Sequence, residues 1–153
     1  MKIKTLPLLR CLRCGHAWTP RQQDVRICPS CKTALWDKPK CKKGLCAIAV
    51  QYLTANGIMF ASVLFDETCM DIVSRYSWYI LQASNTMYAS GTLKPDEDGT
   101  YVHKIHMHRL VSGNPKGKIV HHINCNGLDN RKENLEILTN SEHANRRRKD
   151  TWL

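Results

Sequence analysis

At 153 residues the chain is long enough for one ordinary domain or two small ones, which excludes a large enzyme core. Its net charge of +10 is uneven: residues 1–50 hold 11 Lys/Arg against 2 acids, residues 51–100 hold 2 against 6, and residues 101–153 hold 10 against 5. Two basic ends around an acidic middle point to a polyanion, because each neutralised phosphate releases counterions; solubility alone is the plainer account.

Residues 1–40 are rich in Cys, Pro and Lys and poor in aliphatics, so something besides an apolar core must hold them. CLRCGH (11–16) and CPSC (28–31) are two Cys-x-x-Cys knuckles. Cys11, Cys14, Cys28 and Cys31 can close a tetrahedron of thiolates around a structural Zn²⁺, with no position left for substrate. A redox Cys-x-x-Cys is the competing account, opposed by the second pair and by the lack of a βαβ context. His16 could replace a cysteine, although its place after Gly15 reads as a turn. The stretch CGHAWTPR…ICPSCKTALWDKP resembles the zinc ribbons of prokaryotic and phage DNA-associated proteins. MKIKTLPLLRC lacks the apolar run and cleavage site of a secretory leader, and no segment has the length of a membrane span. The expectation is therefore a cytoplasmic protein, of a prokaryote or a phage-infected cell, whose paired cysteines hold metal rather than form disulfides. Cys41, Cys46, Cys69 and Cys125 are expected as buried free thiols, a second metal site being the alternative.

KPKCKKG (38–44) reads as a basic linker, with Lys42 and Lys43 as candidate DNA contacts. Beyond it, LCAIAVQYL is strand-like, ANG (55–57) is a turn, and IMFASVLF (58–65) is a second strand. Residues 66–76 suit a short helix with Asp66 at its N-cap. WYILQA and TMYASGTL pair around a turn near Ser84-Asn85, with Trp78, Ile80 and Leu81 expected in the core. PDEDG (95–99) is a further turn. In YVHKIHMHRL, His106 and His108 alternate onto one strand face, to pack or to touch DNA; a second metal site there is conceivable.

The last segment is the most legible. KIVHHIN and NLEILT read as strands, with a loop between them whose Asn126-Gly127 suits a positive-φ turn. Thr139 and Glu142 form a capping box, starting a helix at Asn140 that runs through Arg146, Arg147 and beyond. Adjacent strand residues face opposite ways, so His121 and His122 should do different jobs. A hairpin packed on the helix could gather both with His143.

HMHRLVSGNPKGKIVHHINCNGLDNRKENLEILTNSEHANRR resembles the HNH endonuclease motif with its ββα-metal fold. FDETCMDIVSRYSWYILQASNTMYASG, followed by YVHKIHMHRL, resembles the N-terminal half of homing-type HNH endonucleases. The resemblance implies His122 as general base, His121 and His143 as ligands of one divalent ion, and Asn134 as a loop brace that orients the base. Many relatives carry Asp-His where this chain has His121-His122; the His-His version also occurs. Asp129 and Asn130 would brace the same loop, while Arg131, Arg146 and Arg147 are candidates for phosphate contact. The catalytic ion is expected to be Mg²⁺ or Mn²⁺, with Zn²⁺ or Ni²⁺ open.

The expected fold class is α+β: a zinc ribbon (1–40), an antiparallel-strand DNA-binding region (41–100) and an HNH module (101–153). The expected function is a metal-dependent DNA endonuclease of homing, mobile-element or phage type, acting on double-stranded DNA, with no membrane and no small-molecule substrate. A zinc-ribbon DNA-binding module with a lapsed active site is the alternative, RNA cleavage a weaker one, and monomer or dimer is left open.

Overall fold

A computed structural model describes residues 8–22, 24–93 and 104–150, the last four as backbone only. The PDEDG turn, His103 and the side chain of Arg147 lie outside the described residues. Within them the protein is mixed, with mostly strands and few helices.

At the N-terminus, β1 (Leu9–Arg10) pairs antiparallel with β2 (Ala17–Trp18), and the first Cys knuckle forms the turn between them. The second knuckle repeats the same local geometry. Gly15 N donates to Cys11 O at 2.8 Å and Lys32 N to Cys28 O at 3.0 Å. Each turn is closed by a left-handed residue, Gly15 at φ 79° and Lys32 at φ 59°. Glycine is required at the first, because the Phe60 ring lies where a Cβ would stand.

The central sheet has the order β10-β5-β4-β3. Here β3 is Lys40–Lys42, β4 is Leu45–Thr54, β5 is Gly57–Asp66 and β10 is Asp129–Asn130. On the long β4–β5 hairpin every second side chain turns inward: Cys46, Ile48 and Val50 on one strand, Ala61, Val63 and Phe65 on the other. With Met107 and Val73 they make the core.

The expected linker is instead a hairpin. Lys43 and Gly44 both have positive φ, the two-residue turn that matches the twist of paired strands. It sets Cys41 directly opposite Cys46. The two form a disulfide, with Cα atoms 4.0 Å apart. The expectation of free thiols is corrected for this pair, while the four knuckle cysteines keep free thiols. Cys69 is a buried free thiol and Cys125 an exposed one.

The expected helix after β5 is a 3₁₀ turn (Glu67–Cys69) running into α1 (Met70–Ser74). Asp66 occupies the N-cap position but makes no side-chain cap. Its carboxylate accepts instead from Lys132 N, 66 residues away, at 2.7 Å.

A three-stranded sheet follows in the order β6-β7-β8, with β6 Tyr76–Gln82, β7 Met87–Leu93 and β8 Lys104–His106. Trp78 and Ile80 pack against the core, while Leu81 is exposed, contrary to expectation. His106 ends β8, but His108 already sits in α2 (Met107–Val111), so the two do not share a strand face.

The C-terminal segment is β9 (Ile119–His122) antiparallel to β11 (Leu135–Leu138), then α3 (Asn140–Asp150). The expected capping box starts α3: Glu142 N donates to Thr139 Oγ1 at 3.2 Å, and Thr139 N to Glu142 Oε2 at 2.7 Å. Within the loop that joins these strands, β10 leaves to pair parallel with β5. The strands β8 and β10, both beyond residue 100, thus hydrogen-bond to β7 and β5 from the middle of the chain. At the other boundary, Ala49 N donates to Leu12 O at 3.1 Å, joining the Cys-rich unit to β4.

Candidate active site

Among the described residues two clusters of potential ligands stand out, and they differ in how much room they leave. Cys11, Cys14, Cys28 and Cys31 bring their sulfurs within 4.8 Å of one another. Cys11 Sγ lies 3.7 Å from Cys31 Sγ, and Cys14 Sγ 3.8 Å from Cys28 Sγ. Sulfurs about 2.3 Å from one zinc at tetrahedral angles sit roughly 3.8 Å apart, so the residues fit that ion. Burial pushes the Cys11 thiol up to about 12, a penalty that a bound cation reverses. His16 is not in this group; its ring stacks on Trp18 at 5.9 Å.

The second cluster lines a cavity of about 600 Å³ that takes in His106, His108, His121, His122 and His143. Strand alternation on β9 sends His121 and His122 to opposite sides. His121 is half-buried, and its ring centroid lies 5.3 Å from that of His143. The capping box fixes where α3 begins and so places His143 in the first helical turn. Arg146, three residues on, forks onto Glu136 of β11, with Nη2 3.0 Å from Oε1, and holds the helix on the strand.

His122 is buried on the opposite face. Its Nε2 lies 3.4 Å from Asn130 Oδ1. The His108 ring meets it edge-on at 4.9 Å, and Tyr88 lies at 5.9 Å. Burial lowers the His122 pKa, partly offset by the contact with Asn130, so the ring is neutral at neutral pH. His106 is anchored by Ser90, Oγ to Nδ1 2.7 Å, and stacks on His108 at 5.3 Å. His108 Nδ1 and Asn130 Nδ2 are buried with no hydrogen-bond partner among the described residues.

Asn134 is buried behind the loop. Its Oδ1 accepts from Asn124 N at 3.0 Å, and its Nδ2 donates to Asn124 Oδ1 and to Asp129 O, both at 2.9 Å. It thereby closes the loop that carries Asn130. The positive φ in this loop belongs to Cys125, at 59°, rather than to Asn126-Gly127. Gly127 is needed for space: a Cβ there would lie 2.3 Å from Met87 O.

Arg131 does not stand open to a phosphate. Its Nη2 bonds Asp129 Oδ2 at 2.7 Å and its Nη1 pairs with Glu133. The same guanidinium holds the buried Asp129 carboxyl below its ordinary range. Arg109 likewise holds the loop before β9, donating to Asn114 Oδ1, Lys118 O and Pro115 O at 2.7–3.0 Å. Lys42 and Lys43 are exposed at the β3–β4 turn.

The sequence reading named His121, His122, Asn134 and His143. It missed the direct contact of Asn130 with His122 and the ring neighbours Tyr88 and His108. No local pattern connects positions 88 or 108 to 122.

Residues 101–145 match the family model described as HNH endonuclease. No curated protein and no solved structure matches the chain. The match supports an HNH nuclease, a metal-dependent hydrolase whose substrate is nucleic acid. No helix among the described residues is long and apolar enough to cross a membrane.

Proposed function

We propose that this protein is a metal-dependent DNA endonuclease of homing or mobile-element type, with His122 as general base and His121 and His143 holding one divalent ion, Mg²⁺ or Mn²⁺. One observation carries the reading: a single cavity takes in His121 and His143 on one side of β9 and His122 on the other. Two imidazoles that share an ion at about 2 Å have ring centroids roughly 5 Å apart, so the His121–His143 pair fits. That ion would supply positive charge to the phosphate and to the departing 3′-oxygen.

The chain's own groups do the rest. His122, neutral and held by Asn130, takes the proton of the attacking water. Asn134 fixes the loop behind Asn130 and acts as a positioning residue. The unmatched polar atoms of His108 and Asn130 beside His122 suit a pocket completed by substrate or water. Exposed Lys42 and Lys43 supply duplex phosphate contacts, with Arg147 the further candidate from the sequence, while Arg146 braces α3 on Glu136 and Arg131 braces the loop. The four-cysteine unit holds Zn²⁺ and replaces a core that residues 8–38 do not otherwise have.

The test is supercoiled plasmid with and without Mg²⁺ or Mn²⁺. Wild type is expected to nick only with the ion. His122→Ala is expected to lose roughly a hundred-fold or more of that rate while DNA binding persists. Equal cleavage by both proteins overturns the assigned base. Salt-sensitive binding with no cleavage under any ion favours the DNA-binding module with a lapsed site.

A further inference from the structure

The histidine cavity is lined by β9, α3 and the loop after β9, with Tyr88, His106 and His108 on another side. A further wall is the tip of the β6–β7 hairpin, residues Ala83 to Thr86. The tip is docked there by named bonds. Ala83 N donates to Thr86 O at 2.9 Å and closes the turn. Thr86 Oγ1 accepts from Gly127 N at 3.2 Å and reaches Cys125 O at 3.4 Å. The close approach of Met87 O and Tyr88 to Gly127 leaves no room between hairpin and loop.

The tip therefore keeps a fixed place relative to His122. Ser84 and Asn85 stand exposed at its end, on the cavity rim. Among the described residues neither side chain has a hydrogen-bond partner. Both are polar and uncharged, which distinguishes them from the Lys and Arg groups assigned to phosphates. Uncharged amide and hydroxyl groups on a two-stranded ribbon suit base edges in a major groove about 12 Å wide, where asparagine pairs with adenine through two bonds.

We infer that Ser84 and Asn85 are specificity-determining residues that read base edges next to the scissile phosphate. This rests on the nuclease reading above, and two assays separate the two claims. In the first, duplexes randomised around a nick site are cut with Mn²⁺ and the products sequenced. In the second, duplexes from the same pool that remain bound in Ca²⁺ are sequenced without cutting. Wild type is expected to show a base preference close to the cut. Asn85→Ala is expected to flatten it roughly ten-fold at one or two adjacent positions, with positions further away unchanged; Ser84→Ala acts at a neighbouring position. Both side chains are exposed, so neither variant endangers folding. Profiles identical to wild type in both assays overturn the inference. Absence of cutting by wild type overturns the nuclease reading instead, and the bound-fraction profile still decides the role of the tip.

Discussion

The cysteine cluster and the histidine cluster are both built from chain segments that converge on one point, yet they end differently. Four sulfurs surround the first point on all sides, and the knuckles that carry them repeat one backbone turn. Two imidazoles flank the second, and the rest of its surroundings is open cavity. A closed ligand set can only stabilise, whereas an open one leaves an ion free to meet a substrate. On the proposed reading, ligand count separates the structural centre from the reactive one.

The contrast can be broken most severely at the closed centre. Cys28→Ser is expected to unfold residues 8–38, because structural zinc contributes on the order of 10 kcal/mol; a changed emission of Trp18 and Trp36 would report it. At the open centre the effect should fall on rate and not on fold. His143→Ala is expected to lower metal-dependent cleavage roughly a hundred-fold or more while the thermal midpoint stays within a degree or two. A large drop in midpoint would make that histidine structural and remove the distinction. Smaller still is Asn134→Ala, which strands Asn124 N and Asp129 O. It is expected to cost about 1–3 kcal/mol, read as a lower urea midpoint together with reduced cleavage. Thr139→Ala removes the hydroxyl of the capping box and is expected to cost about 1 kcal/mol, with cleavage falling modestly as the first turn of α3 frays.

Local signals account for what the sequence made legible. The Cys-x-x-Cys spacing, the alternation along β4 and β5, and the Thr139–Glu142 box each act within a few residues, and each lies where expected. The opposite facing of His121 and His122 follows from strand geometry alone. What stayed hidden depends on distant partners. The pairing of Asp129–Asn130 with Leu64–Phe65 spans 65 residues, and nothing in LDN marks it as a strand. Asp66 resembles a cap until Lys132 arrives to claim its carboxylate. The Cys41–Cys46 disulfide was obscured by a charged stretch that reads as linker, although Lys43-Gly44 makes a tight turn. His108 left the expected strand because β8 stops at His106 and the chain turns helical at Met107.

The parallel pairing of β10 with β5 has a practical consequence for protein engineering. The matched stretch 101–145 is not a cassette that can be cut out and grafted onto another DNA-binding scaffold. Excised, it would expose the unpaired edges of β8 and β10 and leave Asn130, the neighbour of His122, without the sheet that seats it. A portable version would have to carry β5 and β7 with it, and also β4, whose Cys46, Ile48 and Val50 complete the core, so the smallest transferable unit begins near Leu45.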